Sequence, residues 1–257
     1  MGFLPVATSV LLFATGGFFV FVAYALLARG MGMRDLSFGV FGHVYFVGQL
    51  LKYLPGRVWG FAFQVARASD LARPSRWAAV LTIHFVSAVG ALVAIAALIE
   101  AVAGGLSVPW LIFGLASSVL ATAALALEWR TFRWRLSLSM AAATSGLLHL
   151  GALLQAFALV PLVLSLDSNA TITGALREGG HYLLAWLAGY VAIIAPAGLG
   201  VREVAYAALS EGLAGEVMLT VAAIARLAMM MADLLLGLVF LRYPSSPLKD
   251  ESPIAKP

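Results

Sequence analysis

Long apolar runs, separated by short clusters of charge, fill almost the whole chain. A run of about 20 apolar residues is what a helix needs to cross the hydrocarbon core of a bilayer. The alternating ten-residue segments of a membrane barrel do not occur in the sequence. The pattern predicts spans at residues 3–28, 77–102, 108–127, 136–166 and 217–241. The fourth is long for one span, and Pro161 is placed to kink it or end its last turn. Residues 167–180 are polar and slightly acidic and read as a connection.

Two further apolar stretches are interrupted. Residues 36–54 meet Pro55-Gly56-Arg57 and resume as 58–68, and residues 181–195 meet Pro196-Ala197-Gly198-Leu199-Gly200 and resume as 201–213. Proline removes a backbone donor and glycine frees the backbone, so Pro55, Gly56, Pro196, Gly198 and Gly200 mark backbone breaks. The pieces of the second stretch read as too short to span comfortably and the first break reads as a mid-depth turn, which makes each broken stretch a re-entrant hairpin. Gly48 precedes Pro55 by seven positions, Gly189 precedes Pro196 by seven, and an arginine, Arg57 or Arg202, follows each break. The fold class expected is an all-α polytopic membrane helical bundle with two Pro/Gly-broken hairpins of opposite direction, the outline of an inverted repeat. A chain of continuous spans, with both breaks as simple loops and both arginines at the interface, is the alternative.

Charge placement sets the orientation. Arg29 and Arg34, Arg67 to Arg76, Arg130 to Arg135 and Arg242 fall on one side if both hairpins enter and leave on the same face, and excess Lys and Arg marks the cytoplasmic side. The acidic connections near Glu100, Asp167 to Glu178 and Glu211 to Glu216 then lie outside. Residues 1–12 carry no Lys or Arg, unlike the charged start of a signal peptide, and read as part of a retained helix. Residues 1–243 form a single transmembrane domain on this reading, and 244–257 a short disordered cytoplasmic tail.

Composition sharpens the exclusions. Apolar residues make up 62% and charged residues 11%, so water is not the solvent of this fold. The net charge of +4 sits at the ends of apolar runs, which makes it a topology signal with no nucleic acid implied. There is no cysteine, hence no disulfide and no thiol chemistry. No nucleotide-binding loop, dinucleotide fingerprint or nucleophile elbow is present, and no cofactor or metal site is expected.

Open backbone at membrane depth must line a cavity or be covered by protein, and freed amides favour an anion. Arg57 and Arg202, with Lys52 beside the first break, would suit a phosphate-bearing headgroup. Gln49 and Gln64 flank the same break. Arg226 and Asp233 lie seven apart inside the last apolar run, and an ionised group at depth needs a partner or a cavity. Glu203 is the candidate partner for Arg226. The substrate-binding set expected is therefore Lys52, Arg57, Arg202, Glu203, Arg226 and Asp233. His84 and His149 read as structural hydrogen-bonding residues, with no metal-ligand spacing beside either. Tyr53, Trp59 and Trp77 read as interfacial anchors.

The stretch Pro196-Ala197-Gly198-Leu199-Gly200-Val201-Arg202-Glu203 resembles the signature of the lysylphosphatidylglycerol synthase transmembrane-region family of flippase-like membrane proteins. Tyr53-Leu54-Pro55-Gly56-Arg57-Val58-Trp59-Gly60 resembles that family's other landmark, and the likeness runs in order from about residue 18 to 241. Ala197 stands where glycine is common, and the family often carries a helix ahead of the region matched. The resemblance implies a multi-pass cell-membrane protein that moves an anionic or phosphate-bearing lipid or lipid-linked group. Aminoacylated phospholipids, isoprenoid-linked sugars and other polar lipids serve different members. No soluble transferase domain follows Tyr243, so the chain is expected not to be an enzyme. The alternative is a noncatalytic membrane partner of a glycosyltransferase or lipid synthase. A membrane enzyme acting on a headgroup comes third, with Glu203, Asp233 and His84 as its acid or base candidates.

Overall fold

A computed structural model describes residues 2–34, 36–54, 58–70, 74–104, 108–131, 137–192, 198, 200–210 and 213–243. These residues form an all-helical bundle without strands: α1 (Phe3–Gly30), α2 (Phe38–Leu51), α3 (Val58–Asp70), α4 (Pro74–Ala103), α5 (Val108–Thr131), α6 (Leu138–Phe157), α7 (Val160–Leu166), α8 (Ile172–Val191), α9 (Val201–Leu209) and α10 (Gly215–Leu241). Among the described residues, four helical stretches are long and apolar enough to cross a membrane: Phe3–Gly30, Ser75–Ala103, Leu138–Leu166 and Gly215–Leu241. The chain is therefore a membrane protein. Helix α5 is apolar over Val108–Leu120 and turns Leu111, Leu115 and Leu120 outward, as lipid rather than water would favour.

Helix starts follow local chemistry. The Ser37, Ser137 and Thr171 hydroxyls accept from the Val40, Met140 and Gly174 amides at the heads of α2, α6 and α8. The long fourth run does break near Pro161: α6 stops at Phe157 and α7 restarts at Val160. The Ala158 carbonyl at this break receives the Ser9 hydroxyl from α1 at 2.7 Å, so the interruption leaves that acceptor satisfied at depth.

The structure corrects three expectations. Residues 172–180 are helical rather than part of a polar connection, because Thr171 caps α8 and its early polar side chains find partners across the bundle. At 20 residues α8 is about 30 Å long, so that arm of the second hairpin is not short. Trp77 is no interfacial anchor either. It is fully buried, stacked on Phe41 at 5.9 Å and edge-on to Tyr24.

Helices α2 and α3 pack on each other, as do α8 and α9, so each interrupted stretch forms a hairpin. One aromatic core joins Phe21, Tyr24 and Phe46 to Phe240, and a second gathers Leu159, Tyr182 and Tyr206 against α10. Gly48 and Gly189 have the same packing job in the two hairpins. A Cβ on Gly48 would collide with the Gln64 side chain on the returning helix, and one on Gly189 would stand 3.0 Å from Arg202 Cβ. The matched seven-residue spacing thus places a side-chain-free position where each second arm folds back.

Candidate functional site

A cavity of about 600 Å³ opens between the two hairpins. Helix α2 supplies its polar end through Gln49 and, just past its last turn, Lys52 and Tyr53; α3 adds Gln64, α9 adds Arg202 and α10 adds Asp233. Phe61, Phe85, Trp186, Leu92 and Leu148 make most of the remaining wall apolar. Such a combination suits an amphiphile: a long apolar volume with a few convergent polar groups.

The charges are arranged asymmetrically. Lys52 Nζ lies 2.8 Å from Asp233 Oδ2 and donates to Gln49 Oε1 at 3.2 Å, while the Tyr53 hydroxyl donates to the same Asp233 oxygen at 2.5 Å. Both charged side chains are largely buried, at 22% and 16% exposure. Asp233 is thereby compensated by a cation and a hydroxyl from the first hairpin. Tyr53 belongs to the site rather than to the interface, because the turn after α2 brings its ring inward to the α10 carboxylate.

Among the described residues Arg202 faces an aromatic ring in place of a counter-ion. It is 8% exposed, its guanidinium lies 5.9 Å from the Trp186 ring centre, and its Nε meets no hydrogen-bond acceptor among the described residues. Cation–π attraction offsets part of the burial cost, but an anion would offset more. Gln64 Oε1 and His84 Nδ1 are also buried without a described partner, and both residues line the cavity. His84 therefore departs from its expected structural hydrogen bond. Its ring instead meets Tyr24 and Tyr45 edge-on.

Glu203 and Arg226 form the expected pair, Nη1 to Oε1 at 2.7 Å. The second Glu203 oxygen accepts from the Gly200 amide at 2.8 Å, so one carboxylate both caps α9 and ties it to α10. Gly200 holds φ at +80° and Gly198 at +70°, a region that glycine enters without strain, and this sets the entry into α9 next to Arg202. Neither Glu203 nor Arg226 lines the cavity. The geometry separates the predicted set: Lys52, Arg202 and Asp233 meet in the cavity, Glu203 and Arg226 brace its wall, and Arg57, Pro55, Gly56 and Pro196 lie outside the described residues. So do the tail 244–257 and most of the basic cluster after α5.

His149 has a structural role. Its Nδ1–H donates to the Ser145 carbonyl at 2.8 Å, so Nε2 accepts from the Ser118 hydroxyl at 2.6 Å. A second polar cluster escaped the sequence reading altogether. Glu100 on α4 accepts from Arg177 Nε and from His181 Nε2 of α8, and Glu178 accepts from the Ser210 hydroxyl at 2.6 Å. The signal was the i,i+4 spacing of Arg177 and His181, legible only once Thr171 is taken as the start of the helix.

No family model matches the chain, and no curated protein or solved structure matches it either.

Proposed function

We propose that this chain moves an anionic or phosphate-bearing lipid, or a lipid-linked group, across the cell membrane. The observation that carries the reading is the buried Arg202 guanidinium, held by a broken hairpin against an otherwise mainly apolar cavity and lacking an acceptor for Nε among the described residues. A headgroup oxyanion would supply that acceptor, and acyl or isoprenoid carbons would lie along the aromatic and aliphatic wall. Lys52 is the second cation within the same space, held in reserve by Asp233. The two hairpins, each admitting its return arm at a glycine seven residues before the break, support an inverted-repeat arrangement in which opposed hairpins gate the cavity alternately. The motifs around Pro55 and Pro196 resemble those of the lysylphosphatidylglycerol synthase transmembrane-region family, which favours the same class of cargo.

The test is reconstitution of the purified chain in vesicles with a headgroup-labelled phosphatidylglycerol, measuring loss of protected label without ATP. Wild type is expected to speed transbilayer movement, and Arg202→Ala to slow it by about tenfold or more, the loss of a charge-assisted contact. Folding of the variant is checked by its thermal midpoint. A chain that moves no anionic lipid, yet copurifies in fixed ratio with a transferase that depends on it, would replace transport with the partner-subunit role.

A further inference from the structure

The Glu100–His181–Glu178 cluster lies away from the cavity and has its own chemistry. His181 is 6% exposed and Glu178 and Glu100 are 5% and 7% exposed. His181 Nε2 lies 2.8 Å from Glu100 Oε1, and since a carboxylate only accepts, that nitrogen carries a hydrogen. On the other side of the ring, Nδ1 faces Glu178 Oε1 at 3.7 Å and has no hydrogen-bond partner among the described residues. A bare Nδ1 would direct its lone pair at a carboxylate. With a proton there, the repulsive approach becomes a second charge-assisted hydrogen bond after a few tenths of an ångström of closure.

Among the described residues no neighbour offers the proton a competing partner. On α8 itself Arg177 points to Glu100, with its side chain 45% exposed. From α9, Ser210 donates to Glu178, and the buried Tyr206 hydroxyl has no hydrogen-bond partner among the described residues. The titratable groups of α6 and α7 are engaged elsewhere, His149 with Ser118 and Ser145, and Asp167 with the Asn169 amide. On α4 the remaining histidine, His84, faces the cavity. Among the described residues, two buried carboxylates are thus matched by one half-exposed arginine and one buried imidazole, which leaves them one cation short of balance when the imidazole is neutral.

We infer that Glu100, His181 and Glu178 form a proton-binding site on α8, inside its contact with α4, in which the proton is shared between His181 and Glu178 one turn apart. Protonation at Nδ1 completes a continuous chain from Glu100 through His181 and Glu178 to Ser210 at the end of α9. Loss of the proton opens that chain in the middle, while the Glu100 contact persists.

The probe is the proton, titrated against the thermal midpoint of the full chain in detergent between about pH 5 and 8, where histidine ordinarily changes charge. A proton bound more tightly by the folded chain makes stability rise as pH falls, by up to about tenfold in the unfolding constant per pH unit for one proton. Glu178→Gln keeps the His181–Glu100 contact and the partner of Ser210 but removes the charge facing Nδ1. It is expected to lose most of this pH dependence, as is His181→Gln. Should either variant not fold, nitrogen NMR of labelled histidine in the wild-type chain decides the matter: an imidazolium signal lost as pH rises supports the site. Unchanged pH dependence in Glu178→Gln, or four imidazoles that are all neutral across the range, would overturn it.

Discussion

Asp233→Asn should bind an anionic lipid more tightly than the native chain while being less stable without it. The native carboxylate holds Lys52 at 2.8 Å and takes the Tyr53 hydroxyl at 2.5 Å, so any incoming oxyanion must compete with it for the ammonium. Asparagine keeps the shape and one acceptor oxygen for these partners. Only the acceptor loses its charge, so the Lys52 contact falls from the upper to the lower end of the about 1.5–3 kcal/mol that a charge-assisted hydrogen bond contributes. Lys52 is therefore released by roughly 1–1.5 kcal/mol, and the cavity gains one unit of positive charge. Since 1.4 kcal/mol is tenfold in affinity, the dissociation constant should fall by about tenfold. The unliganded chain should lose about the same free energy, because Lys52 stays largely buried with a weaker partner. Fluorescent phosphatidylglycerol titrated into detergent-solubilised protein, with phosphatidylcholine as the reference lipid, gives the affinity, and a thermal scan gives the stability. Lys52→Ala should weaken binding in the same assay. If Asp233→Asn instead weakens binding in step with Lys52→Ala, the carboxylate contacts the ligand directly, and its role as a displaceable counter-ion fails.

Glu203→Gln and Arg226→Gln should not act additively on the thermal midpoint; a double-mutant cycle is expected to give a coupling of about 1–2 kcal/mol, and additive losses would mean the 2.7 Å pair contributes no net coupling. The opposed-hairpin topology predicts that single cysteines introduced at Ser69 and Gly212, in a chain with no native cysteine, react with an impermeant maleimide from opposite sides of sealed vesicles. Labelling of both from one side would leave the hairpins parallel and remove the inverted repeat.

What the sequence displayed and what it concealed divide along a physical line. Apolar runs report on the solvent, so α1, α4 and α10 could be bounded from hydropathy to within a few residues. Interruptions report on the backbone, so Pro161 and the glycines at 198 and 200 announced breaks that the helices respect. Where a helix carries polar residues for the sake of a distant partner, hydropathy misreads it. Residues 172–180 looked like a connection because Arg177 and Glu178 are charged, yet Arg177 binds Glu100 and Glu178 binds Ser210. Trp77 and Tyr53 looked interfacial for the related reason that an amphipathic ring carries the same signal at a membrane surface, in a packed aromatic core and beside a buried carboxylate.

The candidate site shows the same limit in its pairings. Burial cost alone required that Arg226 and Asp233 each find a partner or a cavity, and the chain offered Glu203 and Lys52 at distances in sequence that no local rule connects. Glu203 is legible as the partner of Arg226 because it stands beside the second break, where a buried arginine needs a carboxylate. The Lys52–Asp233 pair is not legible, because Lys52 is the residue that ends α2 and its direction depends on how the first hairpin folds back at Gly48. The difference matters for function: a carboxylate that caps a helix and binds an arginine is committed to the scaffold, whereas Asp233 spends its charge on a lysine that faces the cavity and can be exchanged for a ligand. Two acid–base pairs that look equivalent in sequence therefore divide into a brace and a displaceable contact, and only the second is placed to respond to what enters the cavity.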